Sequence, residues 1–338
     1  MLGTFAAREL ELPLHHPFKI ARGEESSART VVLAMHLDGI AALGESAPIA
    51  RYGESVASVL AFFATYAPTT TSPYRLEELL DPRIAPAARC ALDLALHDWI
   101  GKATGRPLYE LFGLDPERTP STSFTIGIAD PETTLQKVDE VRTHPILKVK
   151  LGIGSRDEQI ATIEAIRARY TGTIRIDANE GWSVDEAIAT LRELERFEIE
   201  LCEQPIPAGD PSGLRAISES TRIPIVTDED SRFAEDLPRL VGCVAGVNMK
   251  LVKCGGLRAG LAMIRTARAL GLKVMLGCMV ESAILATAAA HLSPLVDWAD
   301  IDGPFLTAND PFVGITYRDG KIVLPSGAGL GVRERHPL

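Results

Sequence analysis

Along most of this chain apolar residues come in two alternating spacings. Short apolar runs with strand character give way to longer stretches whose apolar residues recur every third or fourth position, the mark of a helix with one buried face. The strand-like runs end near Thr125, Lys150, Asp177, Glu203, Asp228, Lys250, Gly277 and Asp302, at intervals of roughly 25 residues, the pace of a β/α barrel. Between them, Asp157 to Tyr170 carries Ile160, Ile163 and Ile166. Ser183 to Phe197 opens on the capping pair Ser183 and Glu186 and buries Val184, Ile188, Leu191 and Leu194. Leu257 to Leu270 repeats the pattern with Leu261, Ile264 and Leu270. No self-similarity accompanies the rhythm, so it is architectural and not a solenoid of copied units.

The first part of the chain reads differently. Arg29 to Leu37 and Ile40 to Leu43 are strand-like, with Asp38-Gly39 as the hairpin turn between them. Ser55 to Tyr66 is helical through Val56, Val59, Leu60 and Phe63. A longer helix starts at Pro86 and is broken by Gly105-Arg106-Pro107, before a short helix from Leu108 to Phe112. Leu114 to Pro120, with two prolines and mixed charge, is the expected boundary. Beyond Pro311 the barrel pattern stops, and Ile315 to Leu324 reads as a hairpin around Asp319-Gly320. The expected organisation is an α+β capping unit over 1–115, a (β/α)7β TIM-type barrel over 116–310, and a tail over 311–338 returning to the capping unit.

Composition narrows the function classes. The 338 residues are 46% hydrophobic and 24% charged, with a formal net charge of −10. That charge disfavours nucleic acid and anionic membrane as partners, and no apolar run has the length of a membrane span. The five cysteines are scattered without C-x-x-C, against a disulfide framework or a zinc site and in keeping with a reducing cytoplasm. Met1 to Phe18 does not read as a signal peptide. The expectation is a cytoplasmic protein with a small-molecule partner; a homo-oligomer is compatible with the sequence.

The chemistry gathers at the strand ends. In Ile146-Leu147-Lys148-Val149-Lys150-Leu151-Gly152 the strand period puts Lys148 and Lys150 on one face. A lone K-x-K is more often a solvated edge strand, whereas a lysine crowded by a second cation has its pKa lowered and can serve as a base. Asp177, Glu203 and Asp228 end three successive strands. At the mouth of a parallel barrel they converge, and they repel one another unless a cation neutralises them. An all-oxygen ligand set points to Mg2+, with Mn2+ as a substitute, and not to zinc. Lys250 lies four strands on from Lys150, on the opposite wall of a closed eight-stranded barrel. Asp300 and Asp302 share a face of the last strand.

These motifs together resemble the enolase superfamily in its muconate-lactonizing branch, over nearly the whole chain. The matching residues are K-x-K at Lys148 and Lys150, D-A-N at Asp177, E-Q-P at Glu203, D-E at Asp228 and K-x-x-K-x-G-G from Lys250. G-C-M-x-E-S from Gly277 and D-x-D-G-P from Asp300 are similar to the dipeptide epimerases of that branch. Asp230 departs from the pattern, since relatives often carry Ser there. Superfamily sites pair a Lys or His base with Mg2+. The resemblance implies an isomerase that inverts the α-carbon of a dipeptide's C-terminal residue, with Lys150 and Lys250 as the two catalytic lysines working through an enediolate. Lys148 would hold the substrate carboxylate and lower the pKa of Lys150. Asn179, Glu229 and Lys253 would support the metal ligands, and Asp300 and Asp302 would take the substrate's N-terminal ammonium. Thr125 and Cys278 join the expected substrate contacts.

The second residue is less legible. Arg22 and Arg51, on stretches that match the family's capping loops, are candidates to pair with an acidic side chain, which makes L-Ala-Glu the first expectation. Glu24 and Glu25 nearby would instead suit a cationic one. A cycloisomerase, an o-succinylbenzoate synthase or an N-succinylamino acid racemase uses the same scaffold, but their substrates lack the free ammonium that paired aspartates would bind. A metal-independent Schiff-base aldolase and a non-catalytic binding barrel are the readings from other classes. Gly327-Ala328-Gly329-Leu330-Gly331 lacks the strand and helix of a dinucleotide loop, and Cys278 has no histidine placed to activate it.

Overall fold

The computed structural model describes residues 3–20 and 23–335. Strands β1 (Thr4–Ile20), β2 (Gly23–Leu37) and β3 (Ile40–Ser46) form an antiparallel sheet in that order. β1 goes beyond the two strands expected here. Its signal is a period-two alternation, Leu10 and Leu12 buried with Glu11 exposed between them. The expected turn is present: Asp38 and Gly39 both have positive φ, 52° and 77°, which a two-residue hairpin turn of this twist requires.

The helix Pro86–Thr104 packs on this sheet and buries Leu92, Leu94, Ala95 and Leu96. Gly44 on β3 permits the close approach, since a Cβ there would stand 1.9 Å from the carbonyl oxygen of Ala91.

The barrel is one parallel sheet in sequence order: β4 (Phe124–Ile126), β5 (Ile146–Lys150), β6 (Thr173–Asp177), β7 (Ile199–Glu203), β8 (Ile225–Thr227), β9 (Gly246–Met249), β10 (Lys273–Gly277) and β11 (Trp298–Asp300). A parallel bridge between Thr122 and Ala299, with Ser123 N donating to Ala299 O at 3.2 Å, brings the first and last strands together. α-Helices follow every strand but one up to β10. After β8 the connection is a 3-10 segment, Ala234–Leu240, with Pro238 inside it, where the missing N–H breaks an α-helical ladder.

Three expected strand ends shift. Asp228 and Lys250 each stand one residue past their strand, and Asp302 two residues past β11. β8 stops at Thr227 because the next three amides turn away, as described below.

Carboxylates of the first domain cap two barrel helices. Glu45, at the end of β3 and fully buried, accepts from Ser282 N (3.0 Å), Ser282 Oγ (2.6 Å) and Leu285 N (3.0 Å) at the start of the helix Ala283–Ala290. Asp93 accepts from Leu257 N and Arg258 N at the start of Leu257–Ala269. Both satisfy helix N–H groups that have no partner within their own helix.

Among the described residues the tail adds no strand to the first sheet. β12 (Phe312–Val313) pairs with β15 (Arg333–Glu334), and β13 (Thr316–Arg318) with β14 (Lys321–Val323). The β13–β14 hairpin bonds to the chain entering β4, through Thr122 N to Gly320 O and Ile322 N to Pro120 O. Leu330 N reaches Asp98 on the long helix at 2.8 Å, so the tail touches both parts. Among the described residues no helix is long and apolar enough to cross a membrane.

The Glu45 cap makes a measurable prediction. Glu45→Ala leaves three donors unpaired in a dry interface and should cost on the order of 3 kcal/mol in urea unfolding. Glu45→Gln, which keeps one acceptor, should cost less.

Candidate active site

The same face of β5 that carries Lys148 and Lys150 points into the barrel mouth, while Leu147 and Val149 pack on the other side. β5 lies between β4 and β6, so this is no solvated edge strand. Lys148 is 2% exposed, and its ammonium group sits among three carboxylates: Glu203 Oε2 at 2.5 Å, Asp300 Oδ2 at 2.6 Å and Asp177 Oδ2 at 3.2 Å. Burial works to lower its pKa, but Asp300, Glu203 and Asp177 together raise it well above the ordinary range. Lys150 Nζ reaches Asp177 Oδ2 at 2.6 Å. The positive charge of Lys148 is thus directed at the acids and not at Lys150.

Across the mouth, Lys250 Nζ lies 3.2 Å from Asp228 Oδ2. Lys253, 2% exposed, contacts Asp228 Oδ1 and donates to Asp228 O at 2.6 Å. Burial opposes the charge on Lys250, yet Asp228 and Glu203 hold its pKa above the usual lysine range. β5 and β9 are four strands apart in the sheet, so Lys150 and Lys250 face each other across the mouth.

The acids divide according to their neighbours. Asp177 is held down at about 2, Lys150 and Lys148 outweighing burial. Asp228 lies well below the carboxylate range, with Lys250 and Lys253 outweighing burial. Glu203 is pushed up, by burial first and by Asp177 second. Asp300 is lowered by Lys148 against burial, whereas Asp302 is raised to about 6 by burial and by Asp300.

Hydrogen bonds fix these groups from behind. Asn179 donates to Asp177 through its backbone N (2.8 Å) and Nδ2 (3.3 Å). Asn248 Nδ2 donates to Glu203 Oε1 at 2.7 Å, and Ser123 Oγ to Asp300 Oδ1 at 2.5 Å. Thr125 contributes its backbone N to Asp302 Oδ2 at 2.7 Å. The Cys278 thiol accepts from Gly303 N at 3.3 Å and donates to Asp302 Oδ1 at 3.8 Å, so it braces an acid.

The most connected brace is Gln204. Its Oε1 accepts from the backbone N of Asp228 (2.9 Å), Glu229 (3.1 Å) and Asp230 (3.3 Å). Its Nε2 donates to Asp230 Oδ2 and Ile206 O, each at 2.9 Å. These amides cannot serve a ladder and Gln204 at once, which is why β8 ends where it does.

Of the residues expected in the site, Lys148, Lys150, Asp177, Asn179, Glu203, Asp228, Glu229, Lys250, Lys253, Asp300, Asp302, Thr125 and Cys278 come together. Arg51 stands apart at the rim, its Nη2 2.7 Å from Glu180 Oε1. Arg22 lies outside the described residues. Ser123, Gln204, Asn248 and Glu180 were not among the expected residues. Ser123 and Asn248 were within reach, each two residues before an expected one and so on its face.

Among the described residues no three of His, Cys, Asp and Glu surround one point as a finished metal cage, and lysines pair with the oxygens of Asp177, Glu203, Asp228 and Asp300. The donor set and the charge nonetheless fit a divalent ion. Asp177, Glu203, Asp228, Glu229, Asp300 and Asp302, each no more than 8% exposed, outnumber Lys148, Lys150, Lys250 and Lys253 by two formal charges. All candidate ligands are oxygens. Glu203 Oε2 takes no hydrogen bond despite its contact with Lys148.

A parallel barrel with a charged mouth, closed by a separate α+β unit, defines a (β/α)-barrel enzyme of the capped kind. Residues 4–113 match the mandelate racemase / muconate lactonizing enzyme N-terminal domain, and residues 133–336 match the enolase C-terminal domain-like family. The chain belongs to this enolase superfamily. It is 37% identical to an L-Ala-D/L-Glu epimerase of Bacteroides thetaiotaomicron over 330 residues, covering 95% of this chain and 85% of that one. It is 36% identical to an L-Ala-D/L-amino acid epimerase of Maribacter over 332 residues, covering 96% and 97%. The solved dipeptide epimerase of Cytophaga hutchinsonii, complexed with Mg and D-Ala-L-Val, superposes with a TM-score of 0.93 at 30% identity, covering 99% and 97%.

Lys148 offers a direct test of the charge arrangement. Lys148→Met removes the cation from three buried acids and should cost about 3–5 kcal/mol at neutral pH in urea unfolding. Added Mg2+ should restore more stability to this variant than to the unaltered protein.

Proposed function

We propose that this chain is a Mg2+-dependent dipeptide epimerase that inverts the α-carbon of the second residue by 1,1-proton transfer between Lys150 and Lys250. The protein is an enzyme of the racemase and epimerase class. The observation that carries the reading is the pair of lysines facing each other across a mouth walled with acids, with Asp300 and Asp302 at one end. A proton α to a carboxylate is weakly acidic because its loss leaves a dianion. Asp177, Glu203 and Asp228 would hold the divalent ion, which when bound supplies Lewis-acid stabilisation of that charge.

The remaining work falls to the chain's own side chains. Asp300 and Asp302 hold the N-terminal ammonium, and this fixes the α-carbon of the second residue between the two lysines. One lysine in its neutral form removes the proton; the other, charged, delivers a proton to the opposite face, and the roles exchange for the other enantiomer. Lys148 lies against the acids where the negative charge develops. With those acids neutralised, its charge acts instead on the substrate carboxylate and on Lys150.

A mass-spectrometric screen of dipeptides in D2O with Mg2+ tests the whole reading, with L-Ala-L-Glu as its first member. The α-proton of the second residue should exchange, Lys150→Ala and Lys250→Ala should each abolish inversion, and EDTA should stop it. Silence across a broad panel would discard the epimerase reading. Borohydride trapping that survives EDTA would point to a Schiff-base enzyme.

The pH profile follows from Asp302. Its folded pKa of about 6 means that the free enzyme loses this anion as pH falls through that value. Below it kcat/KM for dipeptides should decline, about tenfold for each further unit where protonation controls binding. Asp302→Asn should be weak at all pH values and lose this limb.

A further inference from the structure

We propose that Arg89 and Asp93, on the long helix of the first domain, are positioning residues for Lys250: they clamp the turn that carries it, so that one of the two facing lysines is aimed by its strand and the other by the capping unit. The inference rests on the epimerase reading above, in which both lysines exchange a proton with the α-carbon, and it adds residues to that site. It starts from a difference between the two lysines. Lys150 is the last residue of β5 and pairs with Asp177 on β6, so the sheet register fixes its backbone. Lys250 stands past the end of β9, whose pairing with β10 stops at Met249. Its carbonyl instead accepts from Lys253 N (3.1 Å) and Cys254 N (3.2 Å), which opens the one-turn helix Leu251–Cys254.

That turn is held from the first domain at both ends of Gly255-Gly256. Arg89 and Asp93 stand four residues apart and so share one face of Pro86–Thr104. Before the glycines, Arg89 Nη2 donates to Cys254 O at 2.9 Å. After them, Asp93 Oδ2 accepts from Leu257 N and, at 3.3 Å, from Arg258 N. Asp93 is fully buried, and its Oδ1 lies 3.2 Å from His97 Nδ1, so both of its oxygens are located. The glycines have φ of 98° and 110°. A Cβ at Gly255 would run into the Arg89 guanidinium, and one at Gly256 into the Asp93 carboxylate. The G-G of the K-x-x-K-x-G-G run is thus the seat of these two side chains. On the barrel side the same turn is tied only through its ammonium groups, Lys253 Nζ to Asp228 O at 2.6 Å and Lys250 Nζ to Asp228 Oδ2 at 3.2 Å. Loosening the clamp frees the backbone of Lys250 and leaves Lys150 in its strand. A displacement of about 1 Å at a reacting group costs on the order of a hundredfold in rate.

The two lysines act on opposite faces, so each takes the proton from one epimer. Exchange at the α-carbon is measured in D2O at saturating Mg2+, separately for the two epimers of the dipeptide that the screen above returns. Lys250→Ala sets the reference, since it should leave exchange only from the epimer whose proton Lys150 takes. Asp93→Ala and Arg89→Met should shift the ratio of the two exchange rates in that same direction by about tenfold or more. Asp93→Asn, which keeps an oxygen for Leu257 N, should restore most of the ratio. Glu45→Gln weakens the contact between the same two domains at another helix and should leave the ratio as it is. Arg89→Met removes a half-buried side chain and decides the question alone if Asp93→Ala does not fold. An unchanged ratio, a rate lost equally for both epimers, or a ratio that moves as far in Glu45→Gln overturns the inference and leaves the epimerase reading standing. No exchange of any dipeptide by the unaltered enzyme takes both down.

Discussion

The ammonium group of Lys148, buried among Asp177, Glu203 and Asp300, is the interaction on which the rest of the structure depends. A lone cation or a lone carboxylate at this depth would cost several kcal/mol. Their mutual presence removes most of that cost and imposes geometry in return. The four residues come from β5, β6, β7 and β11, so one contact links strands on both sides of the point where the barrel closes. A slip of one residue in β5 would turn Lys148 outward and put Leu147 or Val149 against three acids. The strand register and the charge pattern therefore specify each other.

From that centre the supporting shell follows by satisfying what remains. Each acid has oxygens that the lysines do not fill, and neighbouring amides and hydroxyls supply the bonds. Gln204 does this for a whole turn of backbone: one carbonyl oxygen collects three N–H groups, and Asp230 and Ile206 hold the amide the right way round. Reversing that amide would set its NH2 against three donors and its oxygen against a carboxylate. Asp230, the departure from the expected motif, is fully buried and also takes Gly209 N and faces Arg239, so its charge is matched inside the fold.

How much of this could be read from the sequence depended on whether a residue's place follows from period alone. Lys148, Lys150, Asp177 and Glu203 sit inside strands, and two-residue alternation at the end of a parallel strand puts them at the mouth. Asp228, Lys250 and Asp302 were found by the same rule although each stands just past its strand, because a step of one or two residues does not take it out of the mouth. The strand β1 was missed because its buried positions are few and its charged ones many. The Arg51–Glu180 pair was hidden for another reason. It joins residues 129 apart in sequence across two loops, and no local pattern encodes which loop meets which. Arg51 was expected to be free for a ligand, and its engagement by Glu180 is a fact of the tertiary structure only.

A divalent ion held by these acids would not duplicate the lysines. Four ammonium groups offset much of the charge of six buried acids, which lets the mouth fold at all, but they leave two negative charges over. Filling that deficit with further lysines would crowd the space a substrate needs and would raise the positive potential evenly. A small dication concentrates the missing charge at one point, where a carboxylate can approach it. The same step changes the lysines. While the acids face them, their charged forms are favoured, as the raised pKa values of Lys148 and Lys250 show. Were the acids shared with a dication, as the proposed function has it, Lys148 and Lys250 would lose part of that support. On the proposed mechanism, the pairing that holds the folded mouth together would be the one whose relaxation turns an ammonium group into a base.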